Sequence, residues 1–226
     1  MLLENMFCDQ NNEHIEATCF WTNAVDLDPE PILTKTEKGK YTSFKVENPR
    51  QDFLLGRYCA KKAYLQLRPS SNENMRSLEI KNGIFEQPFF CNDASLGVSI
   101  SHDHGVAAAL VFDRSFPMGI DIEHWDENKS EAINSISTYE EVFQITDIDT
   151  NKAFAIAWCL KEAVSKAIGT GFTIPTQLLK IEAFTQRREA VYSCGFFNFT
   201  QYKGIALLKD NIIIAIAYPQ QLYCRF

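Results

Sequence analysis

Two carboxylates two residues apart, Asp121 and Glu123 in MGIDIEHW, and a Glu-Lys pair four apart, Glu162 and Lys166 in WCLKEAVSKAIG, have the types and spacing to do chemistry. Along an extended run, alternation puts Asp121 and Glu123 on one side and Ile120 and Ile122 on the other. On a helix, Trp158, Glu162 and Lys166 recur every four residues and share one stripe. A helix packed across that strand would offer three carboxylates to one hard cation. Magnesium suits such a set, because it keeps several waters and completes its shell with substrate phosphate oxygens. Lys166, one turn beyond Glu162, would reach the same phosphates. Each residue also has a plainer reading. A Glu-Lys pair at this spacing is ordinarily a surface ion pair worth about 0.3–0.5 kcal/mol, and an acidic strand end is ordinarily solvated. It is the combination that points to a site.

The flanking sequence supplies the elements such a site needs. Residues 151–168 (NKAFAIAWCLKEAVSKAI) form the clearest helix, rich in alanine and followed by Gly169 as a stop. Residues 118–123 read as an apolar strand after the turn at Pro117, and TYEE at 138–141 has the spacing of a capping box. Upstream, 48–67 (NPRQDFLLGRYCAKKAYLQL) has helical periodicity and a partly basic face. Two β-branched apolar runs, 95–101 and 106–113, flank HDHG and predict a hairpin with the histidines at a strand end. The tail, 189–219, alternates as three antiparallel strands, with Gly195, Gly204 and Asp210-Asn211 as breaks. Residues 26–37 and 68–75 read as linkers. Helix followed by strands in both halves predicts an α+β fold.

Composition narrows the function classes. The 226 residues carry a net charge of -7, which argues against nonspecific nucleic-acid binding. No uninterrupted apolar run reaches the length of about 18 residues that would span a membrane, and the N-terminus lacks a basic start with an apolar middle. A cytoplasmic protein without membrane attachment is the expectation. The seven cysteines are scattered and never at zinc spacing, so reduced thiols are expected, and with four histidines any metal should be held by carboxylates.

MGIDIEHW followed by WCLKEAVSKAIG resembles the two-part signature of the 4'-phosphopantetheinyl transferase superfamily, a G-I-D-x-E strand before a W-x-x-K-E-A-x-x-K helix. Gly119, Asp121, Glu123, Trp158, Lys161, Glu162, Ala163 and Lys166 all match. SISHDHG at 99–105 and FLLGRYCAKKA at 53–63 are similar to elements of the long, monomeric members, and the resemblance covers roughly residues 50–171. It implies a pseudo-dimer of two similar α+β halves, 1–115 and 116–226, each a small antiparallel sheet packed with helices, with coenzyme A in the cleft between them. It further implies Asp121, Glu123 and Glu162 as ligands of magnesium; the sequence leaves manganese open as an alternative. Lys166 would grip the pyrophosphate, Ser101 and His102 would contact the 3'-phosphate, and Arg57 and Lys61 would lie at the same anionic end. Lys62 and Arg50 are further candidates for a basic mouth.

The implied reaction moves the phosphopantetheine arm of coenzyme A to a serine of an apo acyl- or peptidyl-carrier protein and releases 3',5'-adenosine bisphosphate. In it Glu162 serves as base, with Asp121 and Lys166 in the catalytic set. The plain readings of the outlying residues are a strand-capping histidine for His102, a solvated helix residue for Arg57 and core packing for Trp158. Where long members often carry a G-K-P type element, this chain has GIFEQPFF, with Glu86 and Gln87 ahead of Pro88. Phe172 and Ile174 beside flexible glycines, with Lys180, Arg187 and Arg188 after them, are candidates for docking an acidic carrier. Two other functions fit parts of the pattern: a non-catalytic module binding coenzyme A or a carrier domain, and an unrelated magnesium phosphohydrolase.

Overall fold

The computed structural model describes residues 2–4, 6–23, 26–125, 137–142 and 148–224. Contacts divide the chain into two units, Met1–Pro117 with Leu222–Phe226, and Met118–Gln221. The first holds β1 (Leu2–Glu4), β2 (Phe7–Cys8), β3 (His14–Ile15), β4 (Ala17–Thr22), α1 (Lys35–Ser43), α2 (Glu47–Leu67), β5 (Ile80–Asn82), β6 (Pro88–Phe90), β7 (Leu96–Asp103) and β8 (Val106–Asp113). The second holds β9 (Gly119–His124), α3 (Tyr139–Val142), α4 (Thr150–Ala167), β10 (Ile181–Arg188), β11 (Val191–Phe196), β12 (Tyr202–Lys209) and β13 (Ile212–Pro219). A last strand, β14 (Tyr223–Cys224), returns to the first unit and pairs with β2. The fold class is α+β, with every strand pair antiparallel among the described residues. None of their helices is long and apolar enough to cross a membrane.

Each unit lays one long helix on an antiparallel sheet, and the two topologies correspond. In the first, the strand before the helix, β4, pairs with β8, and β8 pairs with β7. In the second, β9 pairs with β13, and β13 with β12. The helices match at the residue level: Tyr58-Cys59-Ala60-Lys61-Lys62-Ala63 stands where the other helix has Trp158-Cys159-Leu160-Lys161-Glu162-Ala163. Cys59 gives its thiol to the carbonyl of Ala107, second residue of β8, and Cys159 gives its own to Ile213, second residue of β13. Those two bonds put Thr22, which pairs with Ala107, at the place of Glu123, which pairs with Ile213. Phe20 likewise stands at the place of Asp121.

A second shared feature pins each helix. In the first unit Glu37, buried at 3% exposure, takes bonds from the Thr34 N–H at 2.9 Å, the Ile80 N–H at 3.2 Å and the Lys61 ammonium. In the second, Glu141 takes them from the Thr138 N–H and the Ile181 N–H, both at 2.8 Å, and from Lys161 at 2.9 Å. Ile80 and Ile181 are each the first residue of the strand after the helix. Full burial of an ionised lysine is tolerated only when its protons are taken up, and Lys61 also donates to the carbonyls of Ile32 and Met75, both at 2.9 Å. Residues 26–37, expected to be a linker, are therefore an anchor, with Ile32 and Leu33 buried ahead of the capping box that opens α1.

α4 forms where its alanine-rich sequence predicts. Asp149 caps it, accepting from Asn151 N at 2.9 Å and Lys152 N at 3.3 Å, and Gly169 ends it at φ +72°. Its apolar face, including Phe154, Leu160 and Val164, packs on β9, β13 and β12. The approach to β9 is close at Gly119. A Cβ there would strike the Ala163 carbonyl oxygen and lie 2.5 Å from Ala167 N, both backbone atoms that cannot turn aside. Gly119→Ala should push β9 off the helix and lower the free energy of unfolding by about 1–3 kcal/mol, measured by urea denaturation. An unchanged midpoint would show that the strand has slack.

The other differences from expectation are local. β7 runs through His102 and Asp103, and the hairpin turn is confined to His104 and Gly105, both at positive φ. In the tail, Gly195 and Gly204 lie inside β11 and β12 rather than at breaks, while Asp210-Asn211 makes the turn. β10 and the N-terminal strands are not anticipated by the sequence pattern.

Candidate active site

The second unit brings the four central residues together. Period-two alternation points Asp121 and Glu123 of β9 toward α4, whose stripe presents Trp158, Glu162 and Lys166. The Lys166 ammonium lies 2.6 Å from Asp121 Oδ1 and 3.8 Å from Glu162 Oε2. Trp158 is half-buried and uses its indole N–H to reach Glu123 Oε1 at 3.3 Å, so the residue expected to be core packing instead orients a carboxylate. Burial first, and the nearby Asp121 carboxylate next, push the pKa of the Cys159 thiol far up, leaving an unreactive thiol.

The electrostatics show three acids crowded around one ammonium. Burial and the neighbouring Asp121 push the Glu162 carboxyl up to about 7; Lys166 pulls it down and Glu123 adds to the rise. Burial alone would lower the Lys166 ammonium, but Asp121 and Glu162 hold it above the ordinary lysine value. As arranged, no group of three or more His, Cys, Asp or Glu side chains among the described residues stands close enough to hold a metal ion. The donor set still fits a hard divalent cation in kind: three carboxylates, all oxygen donors, repel one another and already draw positive charge between them.

Arg57 and His102 share a concavity of about 410 Å³ in the first unit, together with Lys40, Phe44, Asp52, Phe53, Asn82 and Glu86. Gly56 forms part of its wall and leaves the space that a side chain would take from Ile100. Arg57 is directed inward. Its Nε lies 3.4 Å from Glu37, its Nη2 donates to Asn82 Oδ1 at 3.1 Å, and the guanidinium lies 4.7 Å over the Phe53 ring. His102 Nδ1 is 3.8 Å from Asp52 Oδ2.

Two expectations are corrected here. Lys61, expected near the anionic end of the ligand, is 0% exposed and serves as the counter-ion of Glu37. Ser101 is buried in β7 and faces away from the concavity that Ile100 and His102 line, because adjacent strand residues point to opposite faces. Of the other basic candidates, Lys62 stacks over Tyr58 and Arg50 pairs with Glu47. Ile174 packs against the core of the second unit, Lys180 pairs with Glu140 at 3.4 Å, and Arg187 donates to Ser193 Oγ at 2.7 Å. Arg188 is exposed, and the side chain of Phe172 lies outside the described residues.

Sequence reasoning missed Glu37, whose T-x-x-E box lies in a stretch that reads as a linker, saw Glu141 as the close of a capping box and not as the partner of Lys161, and missed Asp52 and Asn82 in the concavity. For Asp52 the spacing to Gly56, one helical turn, was an available signal.

The chain is similar to known proteins over this region. Residues 117–217 match the family model of the 4'-phosphopantetheinyl transferase superfamily. A holo-[acyl-carrier-protein] synthase of Lactococcus lactis is 36% identical over 88 residues, 36% of this chain and 74% of that protein. Another holo-[acyl-carrier-protein] synthase, from Staphylococcus carnosus, is 31% identical over 87 residues, 37% of this chain and 74% of the relative. An L-aminoadipate-semialdehyde dehydrogenase-phosphopantetheinyl transferase of Candida glabrata is 22% identical over 159 residues, 66% of this chain and 61% of that protein.

Proposed function

The chain belongs to the 4'-phosphopantetheinyl transferase superfamily, and from that premise we propose that it moves the phosphopantetheine arm of coenzyme A onto a serine of an apo acyl- or peptidyl-carrier protein, with magnesium, releasing 3',5'-adenosine bisphosphate. The observation that carries this reading is the convergence of Asp121, Glu123, Glu162 and Lys166 across β9 and α4.

In this reading the serine oxygen forms a bond to the β-phosphorus, and the bond from that phosphorus to the oxygen of the departing adenosine bisphosphate breaks. Glu162 takes the serine proton. Its carboxyl is pushed up to about 7 by burial and Asp121 in the metal-free protein, and a cation bound beside it would draw that value down, so that Glu162 stays an ionised acceptor for the serine proton. Lys166 neutralises phosphate oxygen charge as it builds on the leaving group, and Asp121 aims the ammonium. Trp158 holds Glu123 in place. Asp121, Glu123 and Glu162 would hold the magnesium ion, or manganese in its stead, which supplies further neutralisation of the pyrophosphate. No covalent intermediate with the protein is needed, since positioning and charge neutralisation carry most phosphoryl-transfer catalysis. We further assign the adenine nucleotide end of coenzyme A to the concavity holding Arg57 and His102. The protein acts as a cytoplasmic monomer in this reading.

The test is to incubate the chain with coenzyme A, magnesium and an apo carrier protein and to weigh the carrier by mass spectrometry. A phosphopantetheine mass gain on its serine, with adenosine bisphosphate released in equal amount, is the expected result. Coenzyme A cleaved without a carrier would indicate a phosphohydrolase. Binding of coenzyme A without any mass gain on several carriers would indicate a non-catalytic module.

A further inference from the structure

The second unit carries, besides the reacting residues, a surface that their chemistry does not use. Leu178 and Phe197 are large apolar side chains left 45% and 62% exposed. Two hydrogen bonds tie their segments together: the Phe197 N–H donates to the Lys180 carbonyl at 2.9 Å, and Asn198 Nδ2 donates to the Leu178 carbonyl at 3.0 Å. The same surface holds a concavity of about 370 Å³ lined by Glu182, Arg187, Thr200 and Lys203. Gly195 lies in register between Glu182 on β10 and Lys203 on β12, and its missing side chain keeps that space open. Arg187 is fixed by its Nε bond to Ser193 Oγ, and neither it nor Lys203 is ion-paired among the described residues. Lys180 has only the exposed Glu140, a surface pair that is readily exchanged for another. On a chain of net charge -7, Lys180, Arg187 and Lys203 here outnumber Glu182 and Glu140.

The fold connects this surface to the site. Leu178 belongs to the 3-10 turn Thr176–Leu179, which packs on α4. From there the surface passes round the end of the sheet to the face away from α4, because Phe184 and Tyr192 point into the core under α4 and their neighbours Thr185 and Ser193 point out. Register puts this end level with the start of β9: Gly195 pairs with Lys203, Lys203 with Tyr218, and the adjoining Ala217 with Gly119. Asp121 follows two residues along. β11 is three strands from β9, or about 14 Å at a spacing of about 4.8 Å. A partner domain of about 100 residues, with a radius of gyration of about 13 Å, covers that distance when seated here.

β10 is an edge of this sheet among the described residues, and Ala183, at φ +51°, breaks its register with β11. A bulged edge is a poor template for another strand, so a partner is read here by side chains. Resting on the transferase reading above, we propose that the apo carrier protein docks on this surface through an acidic amphipathic helix. Its apolar side chains cover Leu178 and Phe197, and its carboxylates meet Arg187 and Lys203. The local positive charge offsets the repulsion that an acidic chain otherwise offers an acidic partner. Of the docking candidates named from sequence, Arg187 is retained, while Phe197 and Lys203 replace the core residue Ile174.

The experiment measures kcat and KM for one acidic apo acyl-carrier protein, and KM for coenzyme A, in the full chain. The variants are Phe197→Asp, Phe197→Leu, and Arg187→Glu combined with Lys203→Glu. Phe197→Asp is expected to raise the carrier KM about tenfold or more, as loss of an apolar anchor does, and Phe197→Leu to stay within about threefold of the parent. The double charge reversal should raise it about tenfold and remove most of its dependence on salt. In all of them kcat at saturating carrier and KM for coenzyme A should hold within about twofold. Thermal melts matching the parent show that each variant is folded; should Phe197→Asp fail that check, the charge-reversal pair decides. A carrier KM unmoved by the variants, or a fall in kcat in its place, overturns the inference and leaves the transferase reading intact. Carrier binding by fluorescence anisotropy that the variants abolish, with no carrier modified by the parent, overturns the transferase reading and supports this one. A carrier neither bound nor modified overturns the two together.

Discussion

Glu162→Gln is expected to lower the rate of carrier modification by about 10²–10⁴-fold, the range for loss of a general base, and yet to make the metal-free protein more stable at pH 8. The two effects share one cause. The Glu162 carboxyl is raised from its ordinary 4.5 to about 7 by burial and by Asp121, with Lys166 opposing and Glu123 adding. A raised carboxyl means that the folded protein binds the proton more tightly than the unfolded chain does. Stability from this group is therefore present in full below pH 4.5 or so, and it is lost as pH rises through about 7. Glutamine keeps the shape and omits the charge that costs free energy at high pH. In EDTA at pH 8 the variant should melt a few degrees above the parent, and at pH 4 the two should coincide. Thermal melts across that range, paired with the mass assay, check both halves. A variant that melted below the parent at pH 8 would mean that the ionised carboxylate is a needed structural partner, and its inactivity would no longer speak for proton transfer.

Lys161→Met should cost about 3–5 kcal/mol of stability, the penalty for stripping a buried charge of its partner. Lys161 and Glu141 are 1% and 3% exposed, and the ammonium lies 2.9 and 3.1 Å from the two carboxylate oxygens. Burial alone would raise the Glu141 carboxyl. The bonds from Thr138 N–H, Lys161 and Ile181 N–H overcome that and hold it below the ordinary value. The contribution is accordingly present above the unfolded carboxylate pKa and lost as pH falls through the lowered folded one. Guanidinium denaturation at pH 7 measures the loss. Combining Lys161→Met with Glu141→Gln should recover part of it, because no bare charge is then left inside. A single variant within 1 kcal/mol or so of the parent would mean that water reaches the site and screens it.

How far these features could be read from sequence depends on the range of the contact involved. Helical periodicity and an Asn-Pro start located α2 at 48–67, against the observed Glu47–Leu67. Alternation placed Asp121 and Glu123 on one side of a strand, and spacing placed Glu162 and Lys166 on one stripe. All of these are local rules. Lys61 shows where such rules end. It falls one turn after Arg57 and two after Leu54, on the face that is buried, yet a lysine in that position looks basic and exposed until its carboxylate is known. That partner, Glu37, is 24 residues away in a stretch that reads as a linker. Ser101 went astray for a simpler reason, since it was grouped with its neighbour His102 although strand neighbours face opposite ways. Trp158 looked like core because aromatic residues on helices usually are. Only the strand across from it shows that its N–H has a carboxylate to meet.

The correspondence between the two units has a further meaning. Both keep the cysteine that ties helix to sheet and the lysine that pins it, so the rotation of each helix about its axis is set by the same two residues. The stripe beside those anchors is where they part: Tyr58, Lys62 and Gln66 in one, Trp158, Glu162 and Lys166 in the other, over Phe20 and Thr22 or Asp121 and Glu123. One polypeptide thus holds two printings of a single chassis, and only one is inked with acids. The unmarked copy, with the rings of Phe20 and Tyr58 5.9 Å apart where the other has charge, is an internal blank against which the marked one can be compared, substitution by substitution.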